Sequence, residues 1–137
     1  MIVNTNLYLK MPAATYDGRR FIIVIEPQLS PRTVNARIYG TGGAGTDYVV
    51  VVSPSDSKSP AGKIPMTDVR HTYLHYVIDP LLLARSNAID REQPILKEIR
   101  DTPLEFRYRS DTVALTIECL IKAIEARSNG ASTAESS

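Results

Sequence analysis

The hydrophobic pattern of this chain changes period once, near residue 65, and that change constrains the fold more than any other feature. Before it, apolar residues run together or alternate, as strands do; after it they recur at helical spacing. Asn6 to Lys10 is a short candidate strand. Tyr16-Asp17-Gly18-Arg19 reads as a turn, because Asp-Gly supports positive φ. Phe21 to Ile25 is an apolar, β-branched run that suits a buried strand, ended by Pro27 and Pro31. From Thr33 to Tyr39, Val34, Ala36 and Ile38 alternate with Asn35, Arg37 and Tyr39, the pattern of a half-buried strand. Asp47 to Val52 is a further strand.

Past the Ser/Pro/Gly-rich loop from Ser53 to Pro65, Thr67 or Asp68 can cap a helix. Asp79-Pro80 is expected to interrupt it, with Leu81 to Arg85 continuing after a kink. Glu92 to Arg100 predicts a short helix with Pro94 in its first turn. Asp111 or Ser110 caps the last helix, from Thr112 to about Arg127, and Asn129-Gly130 ends it. Strands first and helices after predict an α+β domain, with an N-terminal mixed or antiparallel sheet packed on C-terminal helices. One domain is expected over residues 1–128, followed by a disordered tail over 129–137.

The formal charge of +1 supplies no field for nucleic acid or an anionic membrane, so neither partner is expected. No apolar run reaches membrane-span length, and Met1 to Asn6 lacks the basic and apolar regions of a signal peptide. Taken literally the chain is cytoplasmic; a piece of a longer exported precursor fits equally. Cys119 is the only cysteine, which excludes an internal disulfide and a thiolate zinc cluster. It is expected to be a small buried apolar residue. Gly42-Gly43-Ala44-Gly45 lacks the Lys-Ser/Thr ending of a phosphate loop and leads into a strand, so a hairpin loop is expected.

His71 and His75 are the only histidines, four residues apart within the helical region. At about 100° per residue, His75 lies roughly 40° and Asp79 roughly 80° around the helix from His71. Imidazoles so placed can converge on one metal ion, with Asp79 either orienting His75 or simply closing the helix before Pro80. The bland alternative is a pair of ordinary helix histidines. Val69, Tyr73, Leu74, Tyr76, Val77 and Ile78 flank them, so the helix is expected to be largely buried, and buried imidazoles require partners. Tyr73, roughly 200° from His71, belongs to the core or an interface. Glu118 is the best third donor, in the middle of the most apolar helix. Helix geometry alone favours a solvated face instead, with Glu118, Lys122 and Glu125 forming i,i+4-type ion pairs.

The histidine helix follows a strand, Tyr48 to Val52, and precedes a helix offering Glu118. In that arrangement the chain resembles the gluzincin branch of zinc metallopeptidases, and is similar to uncharacterised bacterial metallopeptidase-like proteins over roughly residues 20–127. The resemblance implies a zincin-like fold and zinc bound by His71, His75 and Glu118. It also implies an extended peptide or protein segment lying along the strand before the metal helix, through Tyr48, Val50 and Val52. The departure is Thr72, which stands where the family's H-E-x-x-H motif has its general-base glutamate. A neutral hydroxyl has no useful basicity near neutral pH and can only hydrogen-bond a metal-bound water. Asp79, Glu26 and Glu105 are weak substitutes for the base, and Arg107 and Tyr108 are guesses at oxyanion donors. The resemblance therefore implies a metal-binding domain that is non-catalytic or of degenerate activity, a zinc-dependent peptidase if active. The rival expectation is a metal-free binding or structural module that recruits a partner through an edge strand, Tyr48 to Val52.

Overall fold

The structure, a computed structural model, describes residues 2–11, 19–30, 33–40, 45–54, 63–108 and 111–134. The Asp17-Gly18 turn, Gly42-Gly43-Ala44, Ser110 and most of the Ser53–Pro65 loop lie outside those residues. The chain is mixed α and β and divides into two compact units, Met1–Tyr76 and Val77–Ser137.

The first unit begins with a helix, α1 (Ile2–Tyr8), where a strand was expected from Asn6 to Lys10. Backbone capping favours the helix. Lys10 takes a left-handed φ of 51°. The Met11 N–H then bonds the Asn6 carbonyl at 3.1 Å and the Lys10 N–H bonds that of Leu7 at 3.2 Å. This is the paired closure of a Schellman motif, with lysine where glycine is usual. Asn6 is also tied down by its side chain, which accepts a 2.7 Å bond from the Tyr73 hydroxyl.

Three strands follow, β1 (Arg19–Ile25), β2 (Val34–Gly40) and β3 (Thr46–Val52), in the spatial order β1-β3-β2. β3 runs parallel to β1 and antiparallel to β2. The antiparallel pairing of β2 with β3 ends at Gly40 opposite Thr46. Two expectations fail here. β3 is the middle strand, so Tyr48 to Val52 offers no edge to a partner. β1 is an edge rather than a buried strand, with Ile23, Val24 and Ile25 exposed by 39%, 42% and 51%. Both runs are apolar on both faces, so local pattern does not rank them; pairing order does.

Strand alternation sends Tyr48, Val50 and Val52 to one face, where Val50 and Val52 are fully buried. Phe21 of β1 and Val34 and Ala36 of β2 join that face. A long helix, α2 (Met66–Leu83), covers it with Val69, Tyr73 and Tyr76, spaced i, i+4, i+7. Phe21 is the hub of an aromatic cluster, stacked on Tyr48 at 5.7 Å and edge-on to Tyr73 at 5.0 Å. The Arg19 guanidinium lies 5.0 Å from the Tyr76 ring centre, capping the cluster by a cation–π contact. On the opposite face Arg20 holds Asp47 with two 2.7 Å bonds. That hydrogen bonding holds the Asp47 carboxyl below the usual carboxylate range.

α2 starts at Met66 with Pro65 as the flanking residue, whose carbonyl accepts from Val69 at 3.0 Å. Thr67 and Asp68 therefore sit inside the first turn rather than capping it. Nor does Asp79-Pro80 interrupt the helix, which runs on to Leu83. Proline removes its own N–H bond, but the following turn is kept, with the Ala84 N–H on the Pro80 carbonyl at 3.2 Å.

In the second unit a short α3 (Ser86–Ile89) leads into a 3-10 segment, Asp90–Lys97, where an α-helix from Glu92 to Arg100 was expected. Glu92 departs from helical angles there (φ −87°, ψ 15°), immediately before Gln93-Pro94. α4 (Pro103–Tyr108) and α5 (Thr112–Ala134) complete the unit. Its core joins Ile99, Tyr108 and Leu115, with Leu96 and Ala114 against them. α5 continues past Asn129-Gly130 to Ala134, so that pair does not stop it. No helix of the described residues is long and apolar enough to cross a membrane.

The Asp111 cap is as the sequence predicts: its Oδ1 accepts the Ala114 N–H at 2.8 Å. Asp111→Ala is expected to destabilise the protein by about 0.5–2 kcal/mol. Urea unfolding followed by circular dichroism measures this; an unchanged midpoint would show that the cap contributes nothing.

Candidate metal centre

Helix periodicity places His71 and His75 on the same side of α2, one turn apart. Their rings are 4.9 Å apart between centres and nearly perpendicular, at 76°. Both are half-buried. Glu118, also half-buried, stands on α5 four residues before Lys122. One ligand atom from each of His71, His75 and Glu118 lies within 4.8 Å of the other two. Two imidazoles and a carboxylate are a donor set that can hold a metal ion.

The rival reading of Glu118 is present in the same geometry. Lys122 Nζ lies 3.9 Å from its carboxylate and 3.0 Å from that of Glu125. The lysine is largely exposed, so these pairs are screened and contribute little to stability. Glu118 thus keeps its helix-face ion pair with Lys122. Its negative charge also acts on Tyr108, whose hydroxyl is raised above its ordinary pKa, first by burial and then by Glu118.

Thr72 is buried, and its hydroxyl donates to the Asp68 carbonyl one turn back at 2.9 Å. The Thr72 hydroxyl is therefore tied to the helix backbone. The substitute bases fare no better. Glu26 accepts the Gln28 N–H at 3.0 Å across a turn. Glu105 accepts the Asp101 N–H at 2.8 Å, three residues after Thr102, in a near-capping-box arrangement that starts α4. Asp101 there has a left-handed φ of 60°. Asp79 is half-buried on α2.

Tyr73 belongs to the core, as its angular position predicts. Tyr108 is also a core residue, with the exposed Arg107 against its ring at 5.5 Å. Cys119 is exposed, not buried. It lies about 100° around α5 from Glu118, next to exposed Leu120, on the side away from buried Ile117 and Ile121. Tyr48, Val50 and Val52 are core residues of a central strand and cannot receive a peptide strand. Lys122 is the residue the metal reading of the sequence underrated, although its i,i+4 spacing from Glu118 announced it. No family model, curated protein or solved structure matches the chain.

Proposed function

We propose that this protein is a metal-binding domain on a zincin-like plan, holding zinc through His71, His75 and Glu118 and hydrolysing no peptide. The observation that carries the reading is the gathering of those three donors within 4.8 Å of one another. Neutral imidazole and carboxylate suit zinc better than the hard, all-oxygen cations. A zinc ion bound there would supply Lewis acidity. Proton transfer would fall to the chain, and Thr72 has neither the basicity nor a disengaged hydroxyl proton for it. Asp79, one turn beyond His75, is assigned to orienting that imidazole. The burial of β3 between two neighbours supports the non-catalytic form, since the strand that would bind an extended peptide is already paired.

One observation favours the metal-free module: Lys122, 3.9 Å from Glu118, already offers the carboxylate a cation. Metal content separates the two. Protein purified without a polyhistidine tag is expected to carry one zinc per chain by plasma mass spectrometry. Adding zinc to the stripped protein at about a hundred times its dissociation constant should stabilise it by roughly 2.7 kcal/mol, read as a higher Tm. The gain should fade in acid as protons compete for the imidazoles. Absence of any transition metal, with a Tm that zinc does not move, rejects the metal site and leaves the metal-free module.

A further inference from the structure

The outer edge of β1 is unusual for an exposed strand. Edge strands are normally guarded by central charges, proline or a bulge. β2, the other edge, carries Asn35 and Arg37. β1 carries Phe21-Ile22-Ile23-Val24-Ile25 without interruption, its own charges confined to Arg19 and Arg20 at one end, with Glu26 just past the other. Among the described residues no strand pairs with its outer side.

The direction of its backbone groups can be read off. The Glu26 N–H bonds the Val52 carbonyl at 2.9 Å, inward to β3. By strand alternation the N–H and C=O groups of Phe21, Ile23 and Ile25 point outward. An antiparallel partner must therefore present odd-numbered residues to odd-numbered residues if it is another β1. Centred on Ile23, that register faces Ile23 with Ile23, Phe21 with Ile25 and Ile22 with Val24. It also faces Arg20 with Glu26, twice, at the pairs without mutual backbone bonds, where side chains come closest. Arg20 uses Nε and Nη2 on Asp47, and its side chain is 70% exposed. The strand is thus complementary to itself in backbone direction, apolar content and terminal charge.

We propose that β1 pairs antiparallel with β1 of a second copy of this chain, about a two-fold axis at Ile23. Two three-stranded sheets become one continuous sheet, with the α2-covered faces of both copies on the same side. The pairing buries Ile23, Val24 and Ile25 and satisfies the outward backbone groups. It does not depend on the metal site.

Light scattering on a sizing column tests it across roughly 1–100 µM, a range that brackets micromolar association. The mass should rise with concentration from 15.1 kDa towards twice that value. Ile23→Lys places two ammonium groups face to face at the axis. It is expected to stay monomeric throughout, with an unchanged circular dichroism spectrum. Register is read separately with Ile22→Cys/Val24→Cys in a Cys119→Ser background, which should form covalent dimers on mild oxidation, because residues 22 and 24 of opposite copies are adjacent. A parent chain that remains monomeric, a dimer that Ile23→Lys does not disturb, or a dimer in which the cysteine pair fails to cross-link would each overturn the proposal.

Discussion

His75→Ala is expected to bind zinc at least about 100-fold more weakly than the parent chain. Loss of a group that merely orients a metal ligand costs about 10–100-fold, and loss of the ligand itself costs more. His75 and His71 sit one turn apart on α2, and a single imidazole with Glu118 leaves too few donors for a structural zinc. Competition against a chromophoric chelator measures the affinity. The effect is separable from misfolding because His75 is only half-buried, so the alanine variant should keep its helical content. Lys122→Ala should move affinity the other way, since it removes the cation 3.9 Å from Glu118 that competes with the metal. Were both variants to bind as the parent does, the three residues would not be the ligands.

Leu74→Ala should produce the largest loss of stability, about 2–5 kcal/mol. Leu74 is fully buried on α2, between the two histidines in sequence. Truncation removes its transfer free energy and leaves a cavity that its neighbours fill only in part. Against a typical total of about 5–15 kcal/mol, that is a large fraction. Urea and thermal unfolding report it as a lower midpoint with an unchanged urea slope. Leu74→Met, which conserves volume, should cost less than about 1.5 kcal/mol. If alanine and methionine were equally mild, Leu74 would not occupy a close-packed core.

Much of the local structure was legible. β2 and β3 announce themselves by alternation and β-branching, and Asp111 by its place before an apolar helical run. The α1 segment was misread because Asn6 to Lys10 is short and alternates weakly, while the left-handed Lys10 closure that favours a helix has no sequence signature without glycine. Pro80 was overread as a break. A proline removes one backbone bond, and the burial of Tyr76, Val77 and Ile78 beside it supports a continuous helix. Gly130 was overread as a stop for α5 in the same way.

The candidate site divides along a similar line. By itself the sequence determined that two imidazoles share one side of a helix, because a 3.6-residue period acting on positions 71 and 75 leaves no other arrangement. It likewise determined that a threonine, Thr72, and not a glutamate follows the first histidine. Only the tertiary structure shows one ligand atom from each of His71, His75 and Glu118 within 4.8 Å of the others, since helix geometry says nothing about residues forty positions away. Only it decided which of two similar apolar runs is the centre of the sheet. Phe21 to Ile25 and Tyr48 to Val52 satisfy the same local rules. Strand order, a matter of long-range pairing, buried the second and left the first at the edge.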